Sequence, residues 1–170
     1  MKRNFTNGKR ARHTLPKPKD PAYSMLHRAV GLAARLLDGK VDDTGEPALL
    51  HALRVVDRLD TEDEWVVAIL QEAVNGSSSS NGGAPLMQIR REFPRRVVEA
   101  LELLRDDGGE LEEQVKRVAC NRLATVVKVA ALGDHCDRMS SKISRMVERY
   151  KDARRSLIAA TRCFDRRGDQ

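Results

Sequence analysis

Asp134, His135 and Asp137 place two carboxylates and an imidazole within four residues, and His51 and Glu72 add one more of each. Imidazole and carboxylate suit a borderline-to-hard divalent cation, which polarises a phosphoryl oxygen and lowers the pKa of bound water. The set therefore points to a divalent-cation site or, more plainly, to a polar helix end. Other chemistries lack their residues. Cys120, Cys136 and Cys163 form no metal-type spacing and no even disulfide set. Residues 76–83 are glycine- and serine-rich but lack the Gly-Lys-Ser/Thr end of a phosphate loop. No serine has a nucleophile-base arrangement around it. His13 sits in a basic leader and His27 on a helix flank, each without a partner that suggests chemistry.

The elements that must position these side chains read as helices. Met25, Leu26, Ala29, Val30, Ala33, Ala34, Leu36 and Leu37 recur at the three-and-four spacing of one helix face. Gly39 ends that helix, and residues 42–47 form a turn with Pro47 at the start of the next. The second helix runs through Leu50, Leu53, Val55, Val56 and Leu59. Thr61 and Glu64 have capping-box spacing before a third apolar run from Trp65 to Val74. Residues 76–83 read as a flexible linker. Helices are expected around 86–92, 94–105, 110–120, 121–132 and 141–163, with a glycine break at Gly108-Gly109. No strand-like alternation or internal repeat appears. The fold class is all-α, a single helical domain over 21–165.

The chain has 170 residues, 33% charged and only 4% aromatic, which disfavours a β-sandwich. Its net charge of +6 is carried by residues 1–20, where seven basic side chains face only Asp20. The remaining 150 residues hold 24 basic and 24 acidic side chains and are neutral. The leader thus reads as a disordered basic tail, with weak, salt-sensitive nucleic-acid contact as its one suggested activity. No helix shows the basic, base-contacting face of a helix-turn-helix reader. No apolar run is long enough to span a membrane, and a reducing cytoplasm is the simplest expected compartment.

Five stretches carry a resemblance. They are Gly45-Glu46-Pro47-Ala48-Leu49-Leu50-His51-Ala52-Leu53-Arg54-Val55, Val67-Ala68-Ile69-Leu70-Gln71-Glu72-Ala73-Val74-Asn75-Gly76 and Asn121-Arg122-Leu123-Ala124-Thr125-Val126-Val127-Lys128-Val129-Ala130-Ala131-Leu132-Gly133-Asp134. The other two are Phe93-Pro94 with Val97, Val98, Ala100 and Leu101, and Tyr150-Lys151-Asp152-Ala153-Arg154-Arg155. In this order they resemble the short HD-domain hydrolases related to the RelA/SpoT family, which remove pyrophosphate from (p)ppGpp. The likeness covers about residues 22–160.

The resemblance implies a helical HD domain and a manganese-type site with four ligands: one histidine, a His-Asp pair and a distant aspartate. It puts the first ligand on His51, the pair on Gln71 and Glu72, and the aspartate on Ala131. A catalytic Glu-Asp pair falls on Asn75 and Gly76. Three of four ligand positions are changed, and both catalytic acids are gone. A site left with one imidazole and one carboxylate loses most of its metal affinity. The expectation is therefore a degenerate, catalytically inactive relative that needs no cofactor and acts as a regulatory module, binding a guanine nucleotide or a protein. Lys40, Arg54, Lys128, His135 and Arg138 are its expected nucleotide-binding residues, since cations and lost carboxylates favour phosphates. The alternative is a Mn2+-dependent phosphohydrolase with a rearranged site, in which Asp134 replaces the missing aspartate beside His51 and Glu72.

Overall fold

The computed structural model describes residues 21–42, 45–75, 84–138 and 144–168. The basic tail over 1–20 and the linker over 76–83, Gly76 included, lie outside the described residues. Eight helices are described: α1 (Pro21–Leu36), α2 (Ala48–Val56), α3 (Glu62–Asn75), α4 (Ala84–Glu92), α5 (Arg95–Leu104), α6 (Leu111–Val118), α7 (Arg122–Arg138) and α8 (Ser144–Gly168). Among the described residues there is no strand, only an isolated bridge between Val41 and Pro47. The all-α expectation holds.

Helix α3 is the axis. Its buried residues run nearly all round, from Glu64 and Val66 through Gln71 to Val74, and it packs against α1, α2, α4, α5 and α7. A helix apolar on every side must sit inside the domain. Its start is the expected capping box. Thr61 Oγ1 accepts from the Glu64 amide at 3.4 Å, and Glu64 Oε2 accepts from the Thr61 and Asp60 amides at 3.0 and 3.1 Å. Helix α1 buries Met25, Ala29, Leu32 and Ala33. It ends in a turn at Gly39, whose φ of 69° favours glycine.

Two expectations need correction. Helix α2 ends at Val56, so Leu59 lies beyond it; within the helix Leu50 and Leu53 are exposed and Ala48, His51, Ala52 and Val55 are buried. The small alanines let α2 approach α3 closely and turn the His51 side inward. Helix α7 does not end at 132 but runs through Gly133 to Arg138. Its packing along α8 and the polar contacts of Asp134 outweigh the roughly 1 kcal/mol that a glycine costs inside a helix. All eight helices supply residues to one buried cluster. No helix among the described residues is long and apolar enough to cross a membrane.

Candidate functional site

Helices α2, α3 and α7 bring the candidate residues together from distant parts of the chain. His51 is 4% exposed and stands between two carboxylates. Its Nδ1 lies 2.9 Å from Asp134 Oδ2, and its Nε2 lies 3.7 Å from Glu72 Oε1. The shorter contact assigns the Nδ1 proton to a hydrogen bond with Asp134. Arg54, one turn along α2, donates from Nε to the same Asp134 oxygen at 3.2 Å and from Nη1 to Glu46 Oε2 at 3.0 Å. Arg58 reaches Asp134 Oδ1 at 3.6 Å and donates to Asp137 Oδ2 at 2.8 Å.

Asp134 is therefore a buried carboxylate met by one imidazole and two guanidinium groups. Burial is the largest single influence on its carboxyl and works to raise the pKa. Hydrogen bonds from His51 and Arg54, with their charges, outweigh it and hold the group below the usual aspartate value. The partners of Asp134 sit at i and i+3 of α2, so one helix face supplies both the imidazole and the guanidinium.

On the Glu72 side of His51 opens a cavity of about 830 Å³. This is within the usual range for small-molecule sites, about 300–1,000 Å³. Its wall includes His51, Gln71, Glu72, Asn75, Lys128 and Ala131, with Lys40 and Asp42 from the α1–α2 connection. Asp106, Glu110 and Gln114 come from the segment around α6, and Arg149 and Tyr150 from α8. Three rings form a tilted row along it: His51 and His135 at 4.7 Å between centroids, then His135 and Tyr150 at 5.7 Å. Offset rings at these spacings present an edge or face against which a planar group packs. Arg149 is tied to Glu110 at 3.2 Å and Glu112 at 3.5 Å, joining α8 to the loop before α6. That loop is held from below as well. Arg117 donates to the Leu103 and Arg105 carbonyls and to Asp107, and Asn75 Oδ1 accepts from the Asp106 amide at 3.0 Å.

Lys128 is half-buried in the wall. Burial pushes its ammonium below the ordinary lysine value, and the charges of Asp106 and Glu72 only partly restore it. Gln71 is 6% exposed and faces the same space, yet its amide has no hydrogen-bond partner among the described residues. Gln114 has none either.

The sequence-derived candidates thus divide. His51, Gln71, Glu72, Asn75, Lys128, Ala131, His135 and Lys40 all line the cavity. Arg54 and Arg138 do not line it. Arg54 belongs to the Asp134 network, and Arg138 pairs with Glu46 at 3.0 Å, lowering that carboxyl's pKa first by this hydrogen bond. Both were attractive as phosphate ligands because their segments border the cleft. Each instead meets an acidic partner, Asp134 and Glu46 for Arg54 and Glu46 for Arg138. Gln114, Arg149 and Tyr150 were missed as wall residues. The terminal stretch around Tyr150 was a usable signal, since a helix returning to the bundle must cover something. Gln114 gave no signal.

The donor set does not fit the four-ligand ion cage that the resemblance implies. Gln71 offers a neutral amide, Ala131 a methyl, and Asp134 spends both oxygens on His51, Arg54 and Arg58. Asp137 is exposed and turned to Arg58. Among the described residues no three His, Cys, Asp or Glu side chains converge as a metal-holding group. Compared with known proteins, the chain matches no family model, and no curated protein matches it.

Proposed function

We propose that this protein is a nucleotide-binding relative of the HD hydrolases that no longer hydrolyses its ligand. One observation carries the reading: the space beside His51 is open and polar, not filled by side chains, and Gln71 and Ala131, at positions the resemblance gives to ion ligands, line it. A pocket kept open after loss of its metal ligands argues for retained binding. The ring row of His51, His135 and Tyr150 suits a planar base, and Lys40 and Lys128 suit an anionic group.

Calorimetric titration tests this directly. Guanosine nucleotides carrying one to four phosphates are titrated with and without manganese, and at least one is expected to bind without phosphate release. Silence from all of them removes the nucleotide reading and leaves a protein partner as the regulatory target.

The 3.7 Å approach of Glu72 to His51 Nε2 favours one competing account, a manganese-dependent phosphohydrolase with a rearranged site. That account expects stoichiometric manganese after purification, lost on Glu72→Ala, and EDTA-sensitive turnover at an ordinary enzymatic rate. Finding both overturns the proposal. Contact of the basic leader with nucleic acid is a separate proposal. Deleting residues 1–20 then abolishes low-salt binding to RNA or DNA, and unchanged binding ends the idea.

A further inference from the structure

The cavity wall is not basic. Its cations are Lys40, Lys128 and Arg149, and four carboxylates share the same wall. Arg149 is already committed to Glu110 and Glu112, and Asp42 already faces Arg54 at 3.7 Å. Near the centre, Lys128 stands alone against the charges of Asp106 and Glu72. A ligand with four or five negative charges would meet those carboxylates with too few cations to offset them, and like charges at short range repel.

The uncharged groups point the same way. Gln71 is more than nine-tenths buried, faces the cavity, and has no hydrogen-bond partner among the described residues. The Gln114 amide and the Lys128 ammonium, each half-buried in the same wall, likewise have no hydrogen-bond partner among the described residues. Polar groups drawn from water by the fold are costly to leave unpaired, so an open cavity lined by one buried and two half-buried groups of this kind is matched to a bound polar molecule. Two amides supply donors and acceptors for neutral hydrogen-bonding edges. One ammonium supplies a point charge for one anionic group.

Building on the nucleotide reading above, we infer that the cavity selects a nucleoside monophosphate over polyphosphates, with Lys128 meeting the single phosphate and the amides of Gln71 and Gln114 meeting uncharged polar edges of the ligand. The selection is by charge, not size, since the volume admits either.

Calorimetry at fixed ionic strength with guanosine, its monophosphate, its triphosphate and ppGpp tests the inference. The monophosphate is expected to bind at least tenfold more tightly than each of the other three. Lys128→Met brings the monophosphate down to the level of the nucleoside and leaves the nucleoside unchanged. Gln71→Glu, which adds a third carboxylate near the centre beside Asp106 and Glu72, weakens the monophosphate more than the nucleoside. Melting curves of both variants establish that they are folded. Tightest binding by the triphosphate or ppGpp overturns the charge selection while leaving the nucleotide reading standing. A monophosphate preference that survives Lys128→Met overturns the assignment of Lys128. Absence of binding by all four ligands overturns the nucleotide reading and this inference with it.

Discussion

Helix α7 carries two polar groups of opposite character, about 9 Å apart along its axis at 1.5 Å per residue. At Asp134, every oxygen has a partner: His51 and Arg54 on one, Arg58 on the other. At Lys128, the ammonium sits half-buried with no hydrogen bond among the described residues, beside a glutamine amide in the same condition. The first region is closed chemistry. It joins α2 to α7 and leaves neither Asp134 oxygen for a ligand, although Arg54 Nη2 is buried with no hydrogen bond of its own among the described residues. The second is open chemistry, with groups desolvated by the fold and left unmatched by it. Residue type does not separate the regions, since both contain an imidazole-facing carboxylate within hydrogen-bonding or near-contact range. The state of their partners does.

The comparison is broken most directly by removing Asp134. Asp134→Ala leaves His51 and two arginines without their shared acceptor, and loss of one member of a buried charged group costs about 3–5 kcal/mol. Chemical denaturation of the variant against the wild type measures it. A loss under about 1 kcal/mol would mean that the network is ornamental and that Asp134 is free for another role. The same network fixes an acid response. The folded Asp134 carboxyl has a pKa below its unfolded value, so its contribution is complete above about pH 4. It is lost as pH falls through the lowered folded pKa. Unfolding free energy measured across that acid window should rise with pH in the wild type, and Asp134→Asn should remove this site's share of the slope.

A second closed group calibrates the first. Glu64 is buried and accepts from two backbone amides at the start of α3, away from the cavity wall. Glu64→Ala should cost about 1–2 kcal/mol with ligand affinity unchanged once the loss of folded protein is accounted for. An altered affinity in the folded fraction would show that the two regions are not separable.

What the sequence revealed followed the range of the forces involved. The capping box at Thr61 and Glu64 was readable because its partners are three residues apart. The apolar face of α1 was readable because its period is local. The convergence of His51, Glu72 and Lys128 on one cavity depends on contacts between α2, α3 and α7 far apart in the chain, which no local pattern of residues discloses. That Arg54 and Arg138 stand outside the cavity wall is hidden for the same reason: sequence shows a guanidinium and not the carboxylate it meets across the fold, Asp134 or Glu46. Which face of α2 turns inward is hidden from the sequence for a related reason, since Leu50 and Leu53 are exposed while His51 is buried. Hydrophobicity alone cannot reveal that a histidine with a buried carboxylate partner will claim the inward face.

The open region predicts an effect of opposite sign. Lys128 has a folded pKa below its unfolded one, so the protonated form opposes folding. That penalty is full below the folded pKa and fades as pH rises toward the unfolded value of about 10.4. Lys128→Met should therefore raise stability by about 0.5–1 kcal/mol at neutral pH, a gain that shrinks in alkali, while ligand affinity falls. Thermal unfolding at neutral and alkaline pH reads the first, calorimetry the second. A destabilised variant would place Lys128 among the closed groups.

Gly133 sits between the two regions and gives the finest test. It lies inside α7, where alanine is favoured over glycine by up to about 1 kcal/mol. A methyl there would meet Arg58 Nη1 at 3.2 Å and Arg154 Nε at 3.5 Å, both at the ends of flexible side chains. If those guanidinium groups swing aside freely, Gly133→Ala should gain about 0.5 kcal/mol in chemical denaturation, the helix term less a small steric cost. Arg58, however, also holds Asp134 and Asp137. A net loss on Gly133→Ala would mean that displacing Arg58 disturbs the buried carboxylate, and would extend the closed network from α2 to the α7–α8 face. A gain would confine it to His51, Arg54 and Asp134.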